Sequence, residues 1–109
     1  RTGEDVSIGS DWRASMMANS ARDPYWQAAV RREVMDHPAA RDTIEDECSI
    51  CHMPMTTYPA RVAGGKGTIF DQLPVGRPDA VDGVLAADGV SCTVCHQIAP
   101  TRLGEPSSF

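Results

Sequence analysis

The chain has 109 residues, of which 41% are hydrophobic and 6% are aromatic, and its formal net charge at pH 7 is −5. A chain of this length has room for one domain at most, and it buries too little surface for a wide margin of stability. The acidic balance argues against a nucleic acid partner, because phosphate binding needs a basic face, and no apolar run approaches the roughly 20 residues of a transmembrane segment.

The N-terminal part predicts a loose leader at residues 1–10 and then a short helix. Ser10 or Asp11 is the candidate N-cap, and the helix is expected to run to about residue 20. Four side chains would share one of its faces: Trp12, Ser15, Met16 and Asn19.

A second helix is predicted to start at Asp23-Pro24, a capping residue followed by proline at the first helical position. It is expected to run to about His37, where Pro38 disfavours continuation. Residues 31–33 would face water. The buried stripe of this helix would consist of Trp26, Val30, Val34 and His37. We therefore expect His37 to point inward at the end of an apolar stripe.

The remainder predicts a third helix at about 39–51, a long connection at 54–78 and a short helix at about 79–87. The connection is rich in proline and glycine, and loops of this length are usually functional or wrapped around something. GGKG at 64–67 lacks the spacing and the Ser/Thr of a P-loop, so we expect a flexible, solvated turn there. No strand pattern is convincing. The expected fold is a single domain, 1–109, that is mostly α with long loops and little or no sheet.

All four cysteines lie in two C-x-x-C-H units, which consist of Cys48, Cys51 and His52, and of Cys92, Cys95 and His96. Four cysteines allow three disulfide pairings, and paired C-x-x-C units can also supply four thiolates to zinc. In c-type haem attachment, each cysteine forms a thioether with the porphyrin and the adjacent histidine ligates the iron. Neither a disulfide nor a zinc site explains a histidine directly after both units. The spacing therefore favours two covalently bound haems c, with His52 and His96 as iron ligands.

Each iron also needs a sixth ligand or keeps an open position. His37 is the remaining histidine, and we predict that it is one of these ligands. Methionine sulfur is the other candidate ligand. The chain has five methionines: Met16, Met17, Met35, Met53 and Met55. Met53 directly follows His52 and is badly placed to reach the far face of that haem, so Met53 and Met55 are expected to be packing neighbours.

Two haems would supply the apolar core that so small a chain lacks. The expected domain is thus a small dihaem cytochrome c domain whose core is built around the haems, and it should not fold without them. Covalent attachment of this kind implies maturation outside the cytoplasmic membrane. A periplasmic or extracellular location is therefore expected.

The stretch WRASMMANSARDPYW at residues 12–26, followed by ECSICHMPM and GVSCTVCHQI, resembles multihaem c-type cytochromes of bacterial periplasms and cell surfaces. The resemblance covers most of the chain. In those proteins an early W-x-x-S-x-H places a distal histidine, whereas this chain has Trp12, Ser15 and then Met17 at the histidine position. The resemblance implies that Met17 replaces the imidazole or that the motif has another role. Ligation by histidine and methionine would raise the potential of that haem relative to two histidines.

The ending TRLGEPSSF at residues 101–109 resembles relatives that continue into further domains. The chain also begins at Arg1 without a methionine or a signal peptide. The first residues indicate a mature or cleaved product, and two interpretations stay open: a dihaem chain, or the haem-bearing front part of a longer multihaem protein.

The expected function is electron transfer by the two haems between redox protein partners. No nucleophile–base pair is recognisable, so a carrier is favoured over an enzyme. Two alternatives stay open: a haem enzyme or small-ligand binder with one five-coordinate iron, and a haem subunit of a larger redox complex or filament. The acidic charge favours partners with basic docking surfaces. Four arginines are candidates for pairing with haem propionates, although solvated surface is the expected role of each: Arg22, Arg31, Arg32 and Arg41.

Overall fold

The structure is a computed structural model that describes residues 3, 5, 7–75, 77, 79–80, 82–101 and 104. Over these residues it is mostly helical and has no strand, which confirms the predicted class. The α-helices are α1 (Ile8–Arg13), α2 (Pro24–Asp36), α3 (Arg41–His52), α4 (Pro54–Val62), α5 (Gly83–Ala87) and α6 (Cys92–His96). Two 3₁₀ turns lie at Pro38–Ala40 and Phe70–Gln72.

Helix α1 starts earlier and ends sooner than the sequence predicts. Its N-cap is Ser7, whose hydroxyl accepts a hydrogen bond from the backbone N–H of Ser10 at 3.3 Å. The helix stops at Arg13, and the following residues up to the start of α2 form turns. The predicted cap at Ser10 or Asp11 and the predicted helix to residue 20 are therefore wrong.

Polar side chains explain why the helix does not continue. The hydroxyl of Ser15 accepts a hydrogen bond from the backbone N–H of Ala18 at 3.2 Å. The side-chain amide of Asn19 donates to the backbone carbonyl of Arg13 at 3.0 Å. Local side chain–backbone bonds of this kind compete with helical hydrogen bonds and favour turns.

Helix α2 begins as predicted, because the Asp23 carboxylate accepts from the backbone N–H of Tyr25 at 2.9 Å and Pro24 occupies the first helical position. Trp26 and Val30 are buried, but the stripe then leaves the core. His37, the residue directly after the helix, is exposed. The expectation that it points inward is therefore wrong, since the last turn of α2 extends past the residues it packs against.

The predicted connection at 54–78 starts with a helix. Pro54 is the first residue of α4, where a missing N–H costs nothing because that donor has no partner within a helix. A second proline, Pro59, lies inside α4. The prediction of one long connection over residues 54–78 is therefore wrong at its start, although that range is rich in proline and glycine.

The last two helices are short. Helix α5 begins at Gly83, later than the predicted start near residue 79, and ends at Ala87 as expected. Helix α6 is capped by Ser91, whose hydroxyl accepts from the backbone N–H of Thr93 at 3.4 Å. The histidine of each C-x-x-C-H unit is thus the last residue of a helix. The first unit (residues 48–52) is the C-terminal part of α3, and the second unit (residues 92–96) is the whole of α6.

A small apolar cluster forms the core between α2, α3 and the segments that follow them. Its buried members are Ala21, Trp26, Val30, Met53, Ile69 and Ala86. Met53 is fully buried, which confirms its predicted role as a packing residue. Cys48 is partly buried and packs against the cluster. The first unit is therefore fixed to the core, while the second unit lies outside it.

Every helix in the described part of the chain is too short or too polar to cross a membrane.

Candidate functional site

The first unit occupies the C-terminal turns of α3. Cys48 and His52 are half-buried, whereas Cys51 is exposed. Residues four apart lie on the same side of a helix, so Cys48 and His52 share one face. Burial raises the pKa of the Cys48 thiol, and the neighbouring Cys51, Glu33 and Glu47 raise it further. The thiol is therefore protonated at neutral pH.

The His52 ring is held by Ser20, which lies in the segment between α1 and α2. Nδ1 of His52 is 3.0 Å from the backbone carbonyl oxygen of Ser20. In return, the Ser20 hydroxyl donates to the backbone carbonyl of His52 at 3.0 Å. Because a carbonyl oxygen only accepts hydrogen bonds, Nδ1 carries a proton, and in the neutral imidazole the lone pair is then on Nε2. This is the tautomer in which imidazole acts as a metal ligand through Nε2.

Trp26 of α2 fixes the plane of the same imidazole. The two rings are stacked, with their centroids 4.2 Å apart and their planes 4° from parallel. Trp26 itself belongs to the buried core and is only 8% exposed. The ring of His52 is thus held through Nδ1 and on one face.

A buried carboxylate of α3 holds the segment that covers the first unit. Glu45 accepts hydrogen bonds from the backbone N–H groups of Ile69 at 2.8 Å and Phe70 at 3.1 Å, and it pairs with Arg41 at 2.6 Å. Burial alone would raise the pKa of Glu45, but the hydrogen bonds from Arg41 and the two N–H groups outweigh burial and lower it. Arg41 is therefore on the solvated surface, as expected, and from there it pairs with the buried carboxylate of Glu45.

Asp46, the next residue of α3, holds the same segment at a residue closer to its start, Gly67. The Asp46 carboxylate pairs with Arg61 of α4 at 2.8 Å and accepts from the backbone N–H of Gly67 at 2.7 Å. The hydrogen bond from Arg61, followed by that from Gly67, lowers the pKa of Asp46. Together, Glu45 and Asp46 fasten residues 67–70 to the helix that carries the first unit.

Gly67 packs directly on the first unit. A Cβ atom at this position would overlap the hydroxyl of Ser49 and would lie 2.9 Å from the side chain of Thr57. Ser49 lies between the two cysteines of the unit and is fully buried. The predicted solvated turn at 64–67 is therefore wrong at its last residue, which is buried and has no room for a side chain.

The second unit lies on the surface. Cys92, Cys95 and His96 are all exposed. Among the described residues, the His96 ring forms no hydrogen bond of the kind that holds His52. The two units therefore differ in how firmly the protein holds the histidine.

The residues before the second unit are attached to the N-terminal segment. The backbone N–H of Val90 donates to the carbonyl of Met17 at 2.9 Å, and the Trp12 indole N–H donates to the carbonyl of Val90 at 3.2 Å. Gly89 has a φ of +60°, and a Cβ atom there would lie 2.5 Å from the Met17 carbonyl oxygen. Glycine is thus required at position 89 for two reasons: the backbone is left-handed, and the Met17 carbonyl leaves no room for a Cβ atom.

One segment therefore contacts the first unit and the residues just before the second unit. We call residues 12–20 the N-terminal segment: its Ser20 end holds His52, and its Trp12 end holds Val90, two residues before Cys92. The backbone carbonyl of Met17 lies between these two contacts along the chain. The segment ties the two units into one structure.

The second unit also contacts helix α4, which follows the first unit. The Thr93 hydroxyl, between the two cysteines of the second unit, donates to the sulfur of Met55 at 3.6 Å. Met55 is three residues after His52, so the residue predicted to be a packing neighbour contacts the second unit.

The predicted distal ligands lie on the surface. His37 is exposed at the end of α2, and the side chain of Met17 is 55% exposed. No contact in the described part of the chain brings either side chain to His52 or His96. Both remain predictions, and the backbone of Met17 is near the second unit.

The arrangement of the cysteines themselves tests none of their interpretations. All four thiols are unpaired. Among the described residues, no group of three or more His, Cys, Asp or Glu side chains is arranged to hold a metal ion.

Several of these residues were missed by sequence reasoning. Ser20 acts mainly through its backbone carbonyl, which leaves no signal in the sequence. Gly67 and Gly89 were missed although the sequence does carry a signal for them. A glycine close to a functional motif can indicate a close approach or a left-handed backbone.

Comparison of the chain with protein-family models, with curated proteins and with solved structures gave no match. The interpretation of the two units therefore depends on their spacing and on the geometry described above.

Proposed function

We propose that this chain carries two covalently bound haems c, one at each C-x-x-C-H unit, and transfers electrons between redox proteins. The observation that supports this most is the state of His52. Its Nδ1 donates to the carbonyl of Ser20, and its Nε2 keeps the lone pair that a metal ligand needs. The repeated histidine after the second pair of cysteines extends the proposal to His96.

The thiols fit covalent attachment. Each cysteine would add its S–H across a porphyrin vinyl group: the S–H bond and the C=C π bond break, an S–C bond forms, and the proton moves to the other vinyl carbon. No oxidant is needed. Cys51, Cys92 and Cys95 are exposed and accessible for this addition, and Cys48 is half-buried beside the core. When bound, each haem supplies an iron that takes up and releases one electron.

A contact between the second unit and α4 supports the proposal of transfer within the protein. Thr93 of the second unit contacts Met55, three residues after His52. A reduced donor protein would lose one electron to this chain and an oxidised acceptor protein would gain it, which leaves the chain unchanged. The net charge of −5 favours partners with basic surfaces.

The proposal is tested by measuring covalent haem in protein made in a host that matures c-type cytochromes. We expect the intact mass and the pyridine haemochrome absorbance to show two haems per chain. The paired variants C48S/C51S and C92S/C95S should each keep one haem, and the variant without all four cysteines should keep none. A wild-type protein that is folded and carries bound zinc, or no covalent haem, would refute the proposal.

The same protein tests the predicted distal ligands and separates a carrier from a ligand-binding haem protein. We propose Met17 and His37 as these ligands, so both reduced irons should be six-coordinate and should not bind carbon monoxide. M17A and H37A should each open one iron to carbon monoxide, whereas M16A, at the neighbouring and more exposed methionine, should not. Carbon monoxide binding by the wild-type protein would favour the small-ligand binder instead.

A further inference from the structure

The His52 imidazole is fixed in two independent ways, and only one of them is a hydrogen bond. The bond from Nδ1 to the Ser20 carbonyl holds one point of the ring, about which the ring plane can still turn. The stacked indole of Trp26, with centroids at 4.2 Å and planes 4° from parallel, fixes that plane. A point and a plane together determine the orientation of the ring.

The orientation of the plane matters at Nε2. The lone pair of Nε2 lies in the ring plane, so the plane fixes the direction in which the nitrogen donates to a metal. A flat aromatic neighbour also places its π density against the imidazole, and such partners beyond the ligands themselves tune a metal's properties. Trp26 is buried in the core, so it cannot turn away without disturbing the packing of α2 on α3.

The second unit provides an internal comparison. His96 is exposed, and the described residues give its ring neither a hydrogen bond nor a stacked partner. Any effect of the stacked indole should therefore be confined to the first unit.

We propose that Trp26 is a positioning residue that sets the plane of the His52 imidazole and thereby the electronic properties of the iron bound there. This inference depends on the proposed binding of haem at residues 48–52. Trp26 does not ligate the iron, but it would give the two haems different electronic properties.

The test compares two substitutions that remove a similar part of the indole but differ in shape. Trp26→Phe keeps an aromatic face for stacking, whereas Trp26→Leu keeps apolar bulk without such a face. Both should lose some stability from the cavity they leave. The readouts are the g values of each low-spin haem in the EPR spectrum and the two midpoint potentials in a redox titration.

We expect W26L to shift the g values and the midpoint potential of one haem only, and W26F to retain values closer to those of the wild type. In the C48S/C51S background, which keeps only the haem of the second unit, neither substitution should change the remaining signal. Equal shifts in W26F and W26L, or no shift in either, would overturn the proposal. So would an effect on the second haem alone.

Two further measurements keep this result separate from other failures. Haem content of the wild-type protein is measured first, because a chain without covalent haem refutes the proposed function and not the role of Trp26. If W26L does not load haem, Trp26→Met replaces it as the non-aromatic variant, since a flexible unbranched side chain fills the space with less strain. Tyr25→Leu is the matched control: it removes the exposed aromatic ring directly before Trp26 and leaves the stacked rings in place, so it should not reproduce the W26L shift.

Discussion

Replacing Gly67 by alanine is the substitution whose effect the structure defines best. The added Cβ would overlap the hydroxyl of Ser49 and would lie 2.9 Å from the side chain of Thr57. Ser49 is fully buried and Thr57 is almost fully buried, so neither can move into solvent. Gly67 does not have a left-handed backbone, and the cost is therefore steric alone.

The size of the effect follows from two contributions. Overpacking of a buried position costs about 1–3 kcal/mol. Turning the Ser49 hydroxyl away would also break its bond to the carbonyl of Asp46, now 2.8 Å long, which is worth roughly 0.5–1.5 kcal/mol. We expect G67A to lower the free energy of unfolding by about 2–4 kcal/mol, a fall in Tm of at least about 8 °C for a domain of this size.

The assay is urea and thermal unfolding followed by far-UV circular dichroism. Gly9→Ala is the control, because a Cβ in α1 meets nothing within 4 Å and should stabilise the helix by up to about 1 kcal/mol. The double variant S49A/G67A removes the overlapping hydroxyl and should be more stable than the sum of the two single changes predicts. A G67A protein within about 0.5 kcal/mol of the wild type, or strict additivity in the double variant, would refute the reasoning.

Two further predictions concern the second unit and acid stability. Gly89→Ala should destabilise the protein by more than about 2 kcal/mol, because alanine is strained at a φ of +60° and its Cβ would meet the Met17 carbonyl; urea unfolding without this loss would contradict the contact. The pKa values of Glu45 and Asp46 are lowered by folding, so their stabilisation is present above their ordinary values of 4.5 and 3.8 and is lost as the pH falls through the lower folded values. The urea concentration at the unfolding midpoint should therefore decrease as the pH is lowered below about 4.5. E45Q should make this pH dependence weaker and should lower the free energy of unfolding at pH 7 by about 1–3 kcal/mol. An unchanged pH profile in E45Q would show that Glu45 does not contribute to acid sensitivity.

Local capping signals in the sequence predicted the start of α2 correctly and the start of α1 wrongly. Asp23 followed by Pro24 predicted the start of α2, because both residues act on the first turn itself. The same reasoning missed α4, since Pro54 was taken as part of a loop although it starts the helix. Proline is neutral at the first helical position and disruptive further on, and the sequence alone did not distinguish the two positions.

The support of the candidate site was not predictable from the sequence. The C-x-x-C-H spacing predicts His52 and His96 as ligands without any tertiary information, and this stays a prediction. The partner of His52 is the backbone carbonyl of Ser20, 32 residues earlier, and a carbonyl is common to every residue type. Trp26 was predicted on the buried stripe of α2, but its contact with His52 depends on how α2 packs against α3. His37 was misplaced for the same reason, because helical periodicity cannot show where the neighbouring core ends.

The hydrogen bond from Trp12 to Val90 joins residues 78 positions apart, whereas the bond from Ser20 to His52 spans 32. Closing the longer loop costs on the order of 4 kcal/mol of chain entropy before any contact repays it, and contacts so distant in sequence form late in folding. Folding should therefore close the contact between Ser20 and His52 before the contact between Trp12 and Val90. During synthesis, the indole N–H of Trp12 cannot form its hydrogen bond until Val90, which carries the acceptor carbonyl, has been added to the chain. The two contacts thus close in the order in which the two units lie along the chain.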